Sequence, residues 1–542
     1  MPHARAIPPR PINEPVKSYA PASAERQELK AALATMAGSQ VEIPLVIGGR
    51  DEVTGRTGEV RSPHDRSLLL AVAHEGNVDH AHRAIDAAMA AKRGWAALSQ
   101  ADRSAVFLKA AEMAASTWRQ RLNAATMLGQ SKTAYQAEID SACELVDFLR
   151  FNAYWASELV EQPGDAPNMW NAMEARPLDG FVCAITPFNF TAIAANLPSA
   201  PAICGNVVVW KPSPNALRSA HEIMSLFRAA GLPDGVINLV HGPAEELVNA
   251  CVDHPSLGGI HFTGSTTVFR SIWKRVGNNI DRYKQYPRIV GETGGKDFVF
   301  AHASADVEAL AVALVRGAFE YQGQKCSAAS RAYIPRSIWR ELEGRVVALV
   351  EQIRVGDVTD FRNLMGAVID ARAFARLSSV IEEAKADASY RIVAGGKTND
   401  ERGYFVYPTL VESKDPASRM MREEFFGPIL TVFVYDDDKV DEALGLCDRA
   451  TGYALTGAVF AQDRTFVAKA MAALSEAAGN FYINDKPTGA VVGQQPFGGG
   501  RLSGTNDKAG SVANLHRWVS PRAIKETFVP PTAVDYPSMR EP

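Results

Sequence analysis

No apolar run in the chain approaches the roughly 20 residues that a membrane-spanning helix needs, and no two cysteines form a C-x-x-C pair. The first absence argues against a membrane span. The six cysteines are scattered over Cys143, Cys183, Cys204, Cys251, Cys326 and Cys447, so neither a zinc site nor a disulfide scaffold is expected. Cys183 and Cys204 lie in apolar segments and read as small core residues. Charge of one sign is also lacking. Lys and Arg number 57 against 61 Asp and Glu, a net charge of −4, so nothing draws the chain toward nucleic acid or anionic lipid. The basic run Arg282–Arg288, with its two tyrosines, reads as a solvated loop before a strand. At the N-terminus there is no apolar signal core. Prolines at 2, 8, 9, 11, 15 and 21 make residues 1–40 an extended arm. A reducing, cytoplasmic setting is the expectation.

What is present is an ordinary globular composition, 46% hydrophobic and 22% charged, over 542 residues. That length predicts two or three domains. Val41–Gly49 reads as a short strand and turn, and residues 77–160 read as mostly helical. Then short apolar runs at Gly180–Thr186, Val207–Trp210, Ile237–Val240 and Gly259–Thr263 alternate with helix-compatible segments. Their spacing, on the order of 30 residues, is that of a βαβ unit, so the fold class is α/β with a covered parallel sheet. Past three of these strands the residue type changes abruptly, at Pro187–Phe190, Lys211–Pro214 and Gly264–Thr266. Ligands bind beyond the carboxyl ends of such strands, so these turns converge on one crevice. A strand at Ile289–Val290 leads into Gly291–Lys296. Further strands at Phe298–Ala301, Arg331–Pro335, Tyr404–Leu410 and Ile429–Tyr435 predict a second α/β domain. The end of the chain reads as a strand around Ala523–Val529.

Between the two halves stands Glu320–Ser330. A helical pattern, with Ser304 as its predicted N-cap and Val307, Leu310, Leu314 and Ala318 on one face, ends at Gly323. That leaves Cys326 on a connection amid Lys, Gln and Ser rather than inside an apolar run. Lys325 beside it is expected to favour the thiolate. Taken by itself the segment reads equally well as a nucleophile loop or as a half-buried loop thiol.

Taken together, Gly291–Lys296, Gly323–Ser330 and Glu423–Pro428 resemble the aldehyde dehydrogenase superfamily, in order and over residues 45–530. Thr186–Thr191, Ile483–Lys486, Val492–Gly499 and Ser503–Lys508 narrow the resemblance to the branch that oxidises glutamate γ-semialdehyde, the open form of 1-pyrroline-5-carboxylate, to glutamate in proline breakdown. The resemblance implies a Rossmann-like NAD-binding domain over 41–159 and 178–290, a catalytic domain over 291–511, and oligomerisation elements at 160–177 and 512–542. It implies Cys326 as nucleophile, Asn189 as oxyanion donor and Glu292 as the base that activates water. Lys211, Ser213, Gly264, Ser265, Glu424, Phe426 and Phe188 are carried over as cofactor contacts. For the substrate they are Ser327, Gly489, Ala490, Phe190, Phe497, Glu138 and Lys325. Segment Glu161–Arg176 resembles a protruding hairpin and the C-terminal strand its partner, which implies at least a homodimer.

Three departures stand out. Many superfamily members have a second glycine where Phe269 stands, which is expected to block backbone approach at the pyrophosphate. Ala490 replaces a frequent serine, and Pro214 leaves no carboxylate to reject a 2′-phosphate, so NADP stays open beside NAD. No G-x-G-x-x-G fingerprint is present. The rival readings are an aldehyde dehydrogenase of other or broad specificity and a non-catalytic member of the fold. Glu292 speaks against a CoA-acylating enzyme, which needs no water-activating carboxylate.

Overall fold

A computed structural model describes residues 7–541 of the chain. Residues 1–6, with Pro2, and residue 542 lie outside the described residues, so the predicted arm and tail are assessed without them. Two seven-stranded sheets dominate. In the first the spatial order is Arg288–Glu292, Leu257–Thr263, Phe181–Ile185, Val207–Lys211, Ile237–Leu239, Leu45–Ile47 and Arg50–Glu52. The first five strands are parallel, Leu45–Ile47 runs antiparallel to them, and Arg50–Glu52 pairs antiparallel with Leu45–Ile47. Strand Phe181–Ile185 consists of five buried residues, as expected for a sheet covered on both faces. Chain order reverses between it and Leu257–Thr263, which creates a switch-point crevice at their carboxyl ends. The predicted turns at Thr186–Phe190 and Gly264–Ser265 leave those two strands.

The second sheet runs Tyr390–Ala394, Thr409–Ser413, Ile429–Tyr435, Ala329–Pro335, Asp297–Ala301, Thr456–Phe460 and Asn480–Ile483. It is parallel except for Tyr390–Ala394 at the edge. Only Thr293–Lys296 separates the last residue of strand Arg288–Glu292 from the start of Asp297–Ala301. No helix among the described residues is long and apolar enough to cross a membrane.

Four sequence expectations are revised. The arm is not extended to residue 40, because the prolines stop at Pro21 and a helix, Ala24–Ala37, follows, capped by Ser23. Its Leu29, Leu33 and Met36 pack on Met127, Leu128 and Leu70. The N-cap of helix Val307–Phe319 is Asp306, whose carboxylate accepts from Ala309 N–H, while Ser304 accepts from Gln462 and Asp463. Tyr404–Leu410 is split into strands Phe405–Val406 and Thr409–Ser413, with Pro408 between them. The hairpin is a single strand, Met169–Pro177, paired antiparallel with the chain's own Val519–Thr527. In that ribbon Met169–Pro177 is mostly half-buried, Val519 is buried and Pro521–Thr527 is exposed.

Candidate active site

The loop carrying Cys326 is shaped by two residues that sequence reading passed over. After helix Val307–Phe319 comes a tight turn, Glu320–Gly323, in which Tyr321 and Gln322 have φ of 52° and 55°. Non-glycine residues held there cost on the order of 1–3 kcal/mol each and persist only under strong constraint. The constraint is the buried Gln322 amide. Its Nε2 donates to the carbonyls of Ser131 and Ala367 at 3.0 and 2.7 Å, and its Oε1 accepts from Gly366 N–H at 3.0 Å. Gln324 Oε1 accepts from Ile369 N–H at 2.9 Å. Behind Cys326, a Cβ on Gly295 would lie 2.3 Å from the Cys326 carbonyl oxygen, so only glycine lets the two backbones meet.

Asn189 is brought to the same loop. It is buried at the end of the Pro187–Asn189 turn, and its Nδ2 donates to the Gln324 carbonyl at 3.0 Å. The helix Thr191–Ile203 begins two residues later. Asp140 accepts from its first amides, Thr191 and Ala192, at 3.0 and 2.8 Å, and is itself paired with Lys132 at 2.6 Å. Asp140 sits in a π-helical turn, Glu138–Glu144, a distortion that recurs at functional sites. The Lys132 ammonium lies 4.0 Å from the ring centre of Phe190 and 4.5 Å from that of Tyr321.

Burial governs the electrostatics. Cys326 is 9% exposed. Its thiol is pushed well above the ordinary range, first by burial and then by the carboxylates of Asp297, Glu424 and Glu292. The expected help from Lys325 is absent, since its ammonium turns to Glu320 at 3.3 Å and burial draws it down to about 8. Glu292 ends strand Arg288–Glu292, and its Oε2 accepts from Gly499 N–H at 3.0 Å. Burial also holds this carboxyl well above the usual range. Glu424, pushed up to about 7 by burial, accepts from Gly295 N–H at 2.8 Å. Lys296, buried and without a hydrogen-bond partner for Nζ, is drawn down to about 7 by burial and then by Arg331.

On the other side, the Ser327 and Thr488 hydroxyls are 2.8 Å apart, which ties the nucleophile loop to the turn Thr488–Ala490. Lys486 Nζ donates to the Thr488 carbonyl at 2.9 Å, and Phe497 exchanges backbone hydrogen bonds with Ala509. Glu138 is a correction. Its carboxylate is wholly buried and committed to Arg119, to Lys17 N–H and to the hydroxyl of Tyr19, so it anchors the N-terminal arm rather than the pocket. Glu144, six residues on, is an acid in the same turn that the sequence reading did not single out. Burial and then Asp140 raise it to about 8, while Lys132 and Lys325 pull it back. Its place on the π turn, which helical periodicity does not signal, hid it.

On the crevice side, Ser265 caps helix Thr266–Asn278, accepting from Val268 N–H. Phe269 does not block the helix start as expected, because its ring is turned inward, stacked on Phe262 at 5.2 Å. Lys211 ends its strand buried and is drawn down to about 8 by desolvation, and Ser213 caps the short turn Pro214–Ala216. Phe188 and Phe426 meet edge to face at 5.8 Å.

The sequence pattern of the aldehyde dehydrogenase family matches residues 51–524. The chain belongs to the aldehyde dehydrogenase family. It is 49% identical to the probable delta-1-pyrroline-5-carboxylate dehydrogenase of Schizosaccharomyces pombe, over 97% of both chains. It is 48% identical to the mitochondrial delta-1-pyrroline-5-carboxylate dehydrogenase of Homo sapiens, over 96% of this chain and 92% of that one. Among solved structures, it superposes with a TM-score of 0.96 on the delta-pyrroline-5-carboxylate dehydrogenase of Mycobacterium tuberculosis bound with NAD. That chain is 52% identical, and the match covers 99% of this chain and 100% of the other. For an aldehyde dehydrogenase the crevice has the donor set that a dinucleotide needs. A helix start with unspent amides and a capping serine suits a pyrophosphate, a buried lysine a ribose hydroxyl, and a carboxylate held by a backbone amide the second ribose.

Proposed function

We propose that this aldehyde dehydrogenase oxidises L-glutamate γ-semialdehyde to L-glutamate with NAD, the second step of proline breakdown. Beyond the relatives, the observation that carries the reading is the 2.8 Å contact between Ser327 and Thr488. It supports a reading in which those hydroxyls and the amides of Gly489 and Ala490, next in sequence, meet a carboxylate at the far end of the substrate. The family resemblance assigns Phe190 and Phe497 to the aliphatic part.

In this reading the Cys326 sulfur bonds to the aldehyde carbon as its proton passes to a base, giving a thiohemiacetal. Asn189 Nδ2 and the Cys326 N–H donate to the developing oxyanion. Lys211, Ser213, Ser265, Glu424 and the Phe188–Phe426 pair would hold NAD, which would supply the hydride acceptor. The product of that step is a thioester on Cys326. Glu292 then takes a proton from water, whose oxygen attacks the thioester carbon. The carbon–sulfur bond breaks, glutamate leaves and the thiol is restored. A carboxyl kept high by burial is a stronger base than an exposed glutamate, which suits it to this work.

The first sheet forms the cofactor domain and the second the catalytic domain. The ribbon of Met169–Pro177 with Val519–Thr527 is the oligomerisation element of at least a homodimer, supported by its exposed Trp170 and Ile524 and by Phe528 just beyond it. A reducing, cytoplasmic location is supported by six unpaired cysteines.

Two measurements test this. With purified protein, kcat/KM for glutamate γ-semialdehyde is expected to exceed that for acetaldehyde by roughly 10²-fold or more, because polar groups of the pocket are left unpaired by the smaller aldehyde. Succinic semialdehyde is expected to fall between them, and NAD to be preferred to NADP. Acetaldehyde turned over equally well would sink the substrate assignment. Asn189→Ala is expected to lower kcat by about 10²–10³ with NAD affinity kept, the size of one lost oxyanion donor. An unchanged kcat removes Asn189 from that role.

A further inference from the structure

The proline-rich arm has no part in the chemistry above, yet residues 13–19 are fastened at both ends by buried groups. Tyr19, 3% exposed, donates its hydroxyl proton to Glu138 at 2.7 Å and accepts from Asn123 Nδ2 at 2.9 Å. Lys17 N–H donates to the other Glu138 oxygen at 2.8 Å. Arg119 holds Glu14 at 2.6 Å and the Pro15 carbonyl at 2.9 Å, and Arg150 takes the second Glu14 oxygen at 2.7 Å. The far end is Asn13. Its Nδ2 donates to Asp147 Oδ2 and to the Val492 carbonyl, each at 2.8 Å, and its Oδ1 accepts from Gln494 Nε2 at 3.0 Å. The Glu14 N–H completes the clamp on Asp147 at 2.7 Å.

Asn13 therefore joins helix Leu145–Trp155 to the middle of loop 488–497, some 480 residues away in sequence. That loop is soft by composition. Gly489 and Gly493 have φ of +105° and +81°, a region open to glycine and costly for other residues. Its ends are fixed by Ser327 at Thr488 and by Ala509 at Phe497. Between them it is held by the buried Val492 side chain, by Asn13, by Asn480 Nδ2 donating to the Pro496 carbonyl at 3.0 Å, and by a turn of its own in which the Gln494 and Gln495 amides donate to the Val491 carbonyl. Backbone donors bind an anion well only when they are already in place, since ordering them on binding subtracts from affinity.

We propose that Asn13–Tyr19 is a strap that fixes the loop 488–497, and that Asn13 is a positioning residue for selectivity toward aldehydes carrying an amino-acid head group. This rests on the reading of Thr488–Ala490 as the carboxylate turn. Asn13 touches neither the Cys326 loop nor the crevice, so its loss acts through loop 488–497 and through Asp147 on helix Leu145–Trp155, and hydrogen exchange in the loop separates the two.

The test is Asn13→Ala in the full chain, with Asn13→Asp, which sets a carboxylate against Asp147 and the Val492 carbonyl, as a second variant. For both, KM for glutamate γ-semialdehyde is expected to rise about tenfold, the weight of one or two lost hydrogen bonds. KM values for butanal and for NAD are expected to stay within about twofold, a split that general destabilisation does not produce. Amide hydrogen exchange is expected to quicken across residues 488–495 and to stay unchanged in helix Thr191–Ile203. Equal shifts for both aldehydes, no shift for either, or unchanged exchange in the loop overturns the strap. If the wild-type protein turns over butanal as well as glutamate γ-semialdehyde, the substrate reading falls. The loop's exchange then decides the strap on its own, quickened exchange in the variants supporting it and unchanged exchange overturning it.

Discussion

Cys326→Ala is expected to reduce aldehyde oxidation by more than about 10⁴-fold while leaving NAD affinity within about twofold. No other cysteine can substitute, because the remaining five are buried elsewhere in the fold. The residue is small, and the loop is held by Gln322, Gln324 and Asn189 rather than by the thiol, so the alanine variant keeps its shape. Steady-state NADH formation and calorimetric titration with NAD provide the two readouts. A variant that keeps a tenth of the wild-type rate would remove Cys326 from the mechanism. The wild-type thiol carries a further signature. Because burial and three carboxylates hold it well above the ordinary range, its alkylation by iodoacetamide is expected to be slow at pH 7 and to accelerate steadily as pH rises.

Glu292→Gln is expected to cut steady-state turnover by about 10²–10⁴-fold, the usual weight of a general base, while preserving a burst of NADH close to one equivalent per site. Glutamine is isosteric and its side-chain oxygen still accepts from Gly499 N–H, so the backbone around Gly499 stays put. Hydride loss needs only the tetrahedral carbon and survives, whereas attack of water on the thioester needs a proton acceptor. Quenched-flow traces separate the two phases. The same substitution removes one of the carboxylates that raise the thiol, so the alkylation profile of Cys326 is expected to move to lower pH. A wild-type steady-state rate in this variant would take Glu292 out of hydrolysis. A profile moved upward would contradict the electrostatics.

Much of the architecture was legible because parallel strands buried on both faces are continuous apolar runs. Phe181–Ile185, Val207–Lys211 and Ile429–Tyr435 stand within a residue or two of where those runs predict them. Asn189, Cys326 and Glu292 were legible only jointly, through the family resemblance, since each alone reads as an ordinary turn or loop residue. What stayed hidden has a common cause. Gln322 acts through left-handed backbone and, like Gln324, through long-range amide contacts, Asp140 through a π turn, and Glu138 through a partner 119 residues away, Tyr19. None of these leaves a periodic trace. The reversed expectation for Lys325 has the same origin. Adjacency in sequence set it beside Cys326, while side-chain direction gave it to Glu320.

Peroxide attacks sulfur as the thiolate, and the irreversible sulfinic and sulfonic acids lie beyond that first step. An enzyme whose essential sulfur stays protonated between turnovers offers oxidants little to react with, and it becomes vulnerable only while a base is drawing off the proton. If Cys326 is the nucleophile proposed above, the burial and acidic neighbours that raise its thiol are expected to slow its oxidation between turnovers as well.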